Sequence, residues 1–163
     1  MADYGLELTN NSKASWAFSM PIEMTCVHAT GVCRRLCYGL GVRYRTAGQR
    51  AKRDRNFRTI EFLLGRGGPE LASENLVELV DRARPLDWLA ACIAGVETRT
   101  PWTLRIHDIG DFHSVEYVRA WALAVAARPR CSFWFYTRSF IDEGLFAALT
   151  ELAALPNCQG WLS

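Results

Sequence analysis

The sequence predicts an α/β fold, a partial β/α barrel of parallel strands with helices outside. Two observations carry this. Strand-like segments begin at Trp102 and Cys131 and resume around Gln159, 29 and 28 residues apart, with an amphipathic helical stretch in each interval. Such evenly spaced strand–helix units pair in parallel through right-handed crossovers. The composition also suits one well-packed domain over residues 1–163: half the residues are hydrophobic and 22% are charged.

The elements follow in order. Residues 14–22, "ASWAFSMPI", read as a first buried strand stopped by Pro21. A cysteine loop, residues 24–40, comes next. "TAGQRAKRDRNFRTIEFLLG" is helical in propensity, basic early and apolar late, and is broken by Gly65, Gly67, Gly68 and Pro69. "ELASENLVELVDRAR" and "LDWLAACIAGV" predict two amphipathic helices parted at Pro85, the first burying Leu76, Leu79, Val80 and Ala83.

The β/α repeats span 102–163. Trp102 to His107 form a strand, and Ser114 caps a helix with Val118, Trp121, Ala122 and Val125 on one stripe. "CSFWFYTRS" lacks polar alternation and predicts a strand buried on both faces. Asp142 caps a helix with Leu145, Leu149 and Leu152 on one face, and "CQGWLS" opens a last strand that leaves a further repeat open.

No stretch reaches the roughly 18 apolar residues of a spanning helix, and the first residues lack the apolar run of a leader. A cytoplasmic, reducing location without membrane contact is therefore expected, where clustered cysteines hold metals or do redox chemistry rather than pair.

Ligands of parallel α/β folds sit at the carboxyl ends of the strands. That rule gathers the cysteine loop, "HDIGDFH", "YTRS" and the last strand at one end of the sheet. In the loop, Cys26, Cys33 and Cys37 are spaced C-x6-C-x3-C. Soft thiolates suit zinc, copper(I) or iron–sulfur clusters. A structural zinc site uses four ligands and C-x2-C knuckles, which this loop lacks, and His28 stands awkwardly close to Cys26 as a fourth ligand. Three thiolates on a [4Fe–4S] cluster leave one iron for a ligand. Unpaired, incidental thiols are the alternative. Arg34 and Arg35 can stabilise thiolates or lie on a solvated face. Cys92, Cys131 and Cys158 read as small core residues.

At the second strand end, His107, Asp108 and His113 are the candidates for proton transfer, and Gly110 and Asp111 for holding an ammonium group. A turn in which Asp108 or Ser114 caps the helix is the alternative. Tyr136 and Arg138 close the third strand; the Arg138 fork can grip a carboxylate or phosphate, or pair with Asp108 or Asp111. Lys13, before the first strand, is a weaker candidate. Seven basic residues lie between Arg43 and Arg58, with Asp54 the one acid among them. They form either a phosphate-tracking nucleic-acid surface or a solvated helix face.

Several stretches together, "NNSKASWAFSMPIEMTC", "CYG", "LRIHDIGDFHSVEYVRAW" and "FWFYTRS", resemble the gene product 88-like family of phages and mobile elements. The matches run in order from Asn10 to Ser139. More remotely, the layout resembles radical S-adenosylmethionine enzymes, which carry a three-cysteine loop after the first strand of a partial β/α barrel. That resemblance implies a [4Fe–4S] cluster on Cys26, Cys33 and Cys37. It also implies an S-adenosylmethionine site in which Gly110 and Asp111 take the amino end.

Overall fold

A computed structural model describes residues 5–11, 15–83, 93–94 and 102–162. Lys13, Cys92 and nearly all of the helix expected over 86–96 lie outside them.

Five strands form one sheet in sequential order: β1 (Leu8–Asn11), β2 (Ser15–Phe18), β3 (Trp102–Arg105), β4 (Cys131–Thr137) and β5 (Cys158–Leu162). β1 runs antiparallel to β2, and β2 to β5 are mutually parallel. Trp16, Leu104, Phe133 and Cys158 share one row across the sheet. The class is therefore mixed α/β with a mostly parallel sheet, and β1 and β5 are its two edges.

β1 was not expected. Two asparagines at 10 and 11 are poor strand formers, and pairing with β2 supplies what local propensity lacks. It also occupies the outer edge of β2. The first predicted strand shortens to Ser15–Phe18, because Pro21 already begins a helical turn.

Among the described residues the three longest helices are α3 (Ala47–Arg82), α4 (Val115–Ala126) and α5 (Glu143–Ala153). Sequential strand order with right-handed crossovers places such helices on one face of a sheet. Their buried residues join one core with Leu104, Phe133 and Phe135: Ile60, Leu63 and Leu79 from α3, Trp121 and Val125 from α4, Leu149 from α5. The predicted break in α3 is a kink, with Gly68 at φ 67° ahead of Pro69, and the helix resumes at once. Both predicted caps form: Ser114 Oγ accepts from Tyr117 N at 3.2 Å and Asp142 Oδ1 from Leu145 N at 2.9 Å. Among the described residues no helix is long and apolar enough to cross a membrane.

β4 corrects the expectation of two buried faces. Cys131, Phe133, Phe135 and Thr137 are buried, whereas Ser132, Trp134 and Tyr136 alternate with them on the open side. Aromatic rings on that face hide the alternation in the sequence, because they stack on one another rather than enter the core.

Candidate functional site

The cysteine loop is built from two short helices. α1 (Ile22–Thr25) ends at Cys26, whose N–H donates to the Ile22 carbonyl at 3.0 Å. α2 (Gly31–Leu36) starts at Thr30, whose hydroxyl accepts from Cys33 N at 3.1 Å. Cys33 lies within α2 and Cys37 follows one turn later, so both leave the same side. All three cysteines line one cavity of about 370 Å³. They also border a second one of about 460 Å³ with Val27, Arg34 and Leu40. His28 lines neither. Cys131 is buried in the core and Cys158 packs against it.

Burial pushes the Cys26 thiol up to about 12, and the charges of Asp111, Cys37 and Cys33 push the same way. Burial thus favours the protonated thiol, and a bound cation would offset it. Three soft sulfurs with space on both sides fit an iron–sulfur cluster by donor type. Among the described residues no group of three or more His, Cys, Asp or Glu is arranged for a single metal ion. A cluster, whose thiolates bind different irons, spaces its ligands more widely than one ion does.

A buried network fixes this loop to the strand ends. Met20 N donates to the Ile109 carbonyl at 2.8 Å and Asp108 N to the Phe18 carbonyl at 2.9 Å. Thr25 Oγ1 donates to the Pro21 carbonyl at 2.8 Å and accepts from Asp111 N at 3.2 Å. Asp111 joins the next strand: Oδ1 accepts from Thr137 Oγ1 at 2.6 Å and Phe112 N at 2.8 Å, and Oδ2 from Arg138 N at 2.8 Å. Ser139 Oγ donates to the Phe112 carbonyl at 2.6 Å. Burial pushes the Asp111 carboxyl upward against the hydrogen bonds that favour its ionised form.

Gly110 lets the two loops meet. Its φ is 90°, and a Cβ there would lie 2.7 Å from Met20 Cβ, 2.8 Å from Met20 O and 2.9 Å from Thr25 Oγ1. Its role in this structure is packing, one residue away from the carboxylate that lines the cavity.

The cationic wall is Arg105 and Arg138. Arg105 donates to Asp108 Oδ1 at 3.0 Å and to the Tyr38 hydroxyl at 3.1 Å, and Tyr38 donates to the Asp108 carbonyl. Arg105 thus takes the pairing with Asp108 that the sequence offered to Arg138. Among the described residues no acid pairs with the Arg138 guanidinium.

The two histidines part company. His107 lines the cavity, at φ 66°, with Nε2 2.8 Å from the Tyr117 hydroxyl. Burial first, then the charges of His113 and Arg105, depress it to about 3, so it stays neutral near pH 7 and is a poor proton carrier there. His113 lies away from the cavity: Nε2 is 2.9 Å from Glu61 Oε1, and the ring stacks on Tyr117 at 4.9 Å. Of the expected site residues, Asp108, Gly110, Asp111, Tyr136 and Arg138 line the cavity with the three cysteines.

Sequence reasoning sets Arg105, Thr137 and Ser139 at the strand ends without an individual role, and passes over Tyr38 and Thr25. The signal for Thr25 and Tyr38 was adjacency, since they directly precede Cys26 and follow Cys37. The basic run divides. Arg53 is buried and donates to the Tyr44 carbonyl at 2.9 Å, and Arg55 pairs with Glu7. Arg43, Arg45, Arg50 and Arg58 are exposed.

Residues 4–163 match the family Gene product 88, and the chain belongs to that family. The Gene 88 protein of Mycobacterium phage L5 is 27% identical over 115 residues, which are 70% of this chain and 43% of that protein. The chain thus spans less than half the length of this phage relative. No solved structure matches it.

Proposed function

We propose that this member of the gene product 88 family is an iron–sulfur protein. In this reading Cys26, Cys33 and Cys37 hold a [4Fe–4S] cluster, with one iron open to the cavity at the ends of β2, β3 and β4. The observation that supports it is the placement of three thiols on one cavity wall together with two arginines. When bound, such a cluster supplies a single electron and a Lewis-acidic position beside a guest molecule.

The chain's own residues position that guest. Arg138 offers a planar fork to a carboxylate or phosphate. Asp111, which lines the same cavity, is the carboxylate for an ammonium group. Arg105, locked by Asp108 and Tyr38, lends positive charge without needing to move. Neutral His107 offers no charge to repel a cationic ligand. A small zwitterion carries both groups, and S-adenosylmethionine is the proposed one, on β/α units read as part of a radical S-adenosylmethionine-like barrel. Anaerobically purified protein should be brown and carry about four irons per chain; a colourless, zinc-loaded protein overturns the reading. S-adenosylmethionine should alter the paramagnetic spectrum of the reduced protein; an unchanged spectrum removes that ligand and leaves the cluster.

A second reading rests on the exposed arginines at 43, 45, 50 and 58, as a surface for nucleic-acid phosphates. It makes the metal site structural or redox-sensing. Salt-sensitive DNA or RNA binding, lost in an Arg45→Ala, Arg50→Ala, Arg58→Ala variant, would support it. Arg53 is a poor choice for that variant, since it is buried and holds the Tyr44 carbonyl, and Arg55 is already paired with Glu7.

A further inference from the structure

The open face of the sheet carries side chains that the reading above leaves unused. Trp134, Tyr136 and Trp161 stand there together. Tyr136 and Trp161 are stacked, with centroids 5.2 Å apart at 28°, and Trp134 meets both edge-on at 5.7 and 6.1 Å. Tyr136 is 43% and Trp161 36% exposed. Rings held in water on an ordered strand mark a surface that something apolar and flat covers.

The charges nearby say what kind of flat molecule. Arg105 lies 4.9 Å over Trp134 and 5.7 Å over Tyr136, and its Nε has no hydrogen-bond partner among the described residues. Arg138 lies two residues beyond Tyr136, about 7 Å of extended chain, and both line the cavity. One acid, Asp108, balances Arg105, and Arg138 is left for an anion. The remaining open-face positions of β3, β4 and β5, namely Thr103, Ser132 and Gln159, carry no charge. Beyond Arg105, a long polynucleotide would find no row of cations to follow along β3, β4 and β5, whereas one base with one phosphate is matched.

We infer that the open sheet face is a mononucleotide site, with the base stacked on the Tyr136–Trp161 pair and the phosphate held by Arg138. The inference rests on the cavity of the reading above and gives Arg138 to a nucleotide phosphate, so a nucleotide and the carboxylate of S-adenosylmethionine are alternative guests of Arg138. S-adenosylmethionine has no phosphate and does not answer this description.

Calorimetric titration of the anaerobically purified full chain with adenosine 5′-monophosphate, thymidine 5′-monophosphate and adenosine tests it. Both nucleotides should bind saturably, and adenosine more weakly. Trp161→Ala should weaken nucleotide binding about tenfold, as loss of one stacking partner does. Trp161→Phe should recover most of the affinity. Arg138→Ala should erase the difference between adenosine and its monophosphate. Absence of saturable binding, or affinity untouched in Trp161→Ala, overturns the inference. So does an affinity for thymidine oligonucleotides that rises with length, which would give the face to single strands. Iron measured on the same sample separates the two proposals. Iron-free protein that binds nucleotides removes the cluster alone, and iron-bearing protein blind to nucleotides removes this site alone.

Discussion

Replacing Gly110 with alanine probes the joint between the cysteine loop and the sheet. Two costs add. An L-residue forced into left-handed backbone at φ 90° loses about 1–2 kcal/mol. The new Cβ also overlaps Met20 Cβ at 2.7 Å and Met20 O at 2.8 Å, atoms fixed by the backbone rather than flexible tips. Overpacking of that kind costs about 1–3 kcal/mol. The sum, about 2–5 kcal/mol, is a large part of the roughly 5–15 kcal/mol that keeps a domain folded. At about 2–4 °C per kcal/mol for a chain of this size, the melting midpoint should fall by about 4–20 °C. The third overlap, Thr25 Oγ1 at 2.9 Å, lies one residue before Cys26, so the surviving folded protein should also take up less iron. Thermal and urea melts against Gly48→Ala make the comparison, since a Cβ at Gly48 meets nothing within 4 Å. A Gly110→Ala melt within about 1 kcal/mol of the parent would refute the claim that the two loops are wedged together.

Two further predictions concern protonation. Burial depresses His107 from 6.5 to about 3, so between those values the unfolded chain binds the extra proton. Its contribution is complete above pH 6.5 and falls by about 1.4 kcal/mol per pH unit on acidification. His107→Asn, a residue that tolerates the φ of 66°, should flatten the acid arm of the urea midpoint against pH, and an unchanged slope contradicts the assignment. Asp111 has the opposite sign: its carboxyl is raised on folding, so its contribution is fullest below 3.8 and declines as pH rises through the folded value. Asp111→Asn should remove that decline. At neutral pH it sets an amide N–H₂ against Arg138 N or the Thr137 hydroxyl, costing about 1–3 kcal/mol in urea denaturation; no loss would show that the network does not hold the strand ends.

The β/α half of the chain was legible because its signals are local. Ser114 and Asp142 cap where a side-chain oxygen precedes an apolar stripe, and the stripes of α4 and α5 face the core as their spacing requires. β1 was not legible, since Asn10 and Asn11 become a strand only through pairing with β2. The two faces of β4 were misread because Trp134 and Tyr136 look like core and instead form an exposed aromatic cluster. At the site, the strand-end rule assembled Cys26, Cys33, Cys37, Asp111 and Arg138, since topology alone sets where strands end. It could not divide the near-identical pair His107 and His113, which depends on which way one residue at positive φ turns. Nor did it show that Asp108 would take Arg105, three residues before it, rather than Arg138 from the next strand end.

The account stands most directly on iron and acid-labile sulfide per chain, measured in anaerobically purified parent, Cys26→Ser, Cys33→Ser, Cys37→Ser and Cys131→Ser proteins. The parent and Cys131→Ser should each hold about four irons and four sulfides, and each of the other three should lose most of both. Equal metal in all five proteins, or zinc in place of iron in the parent, would contradict it.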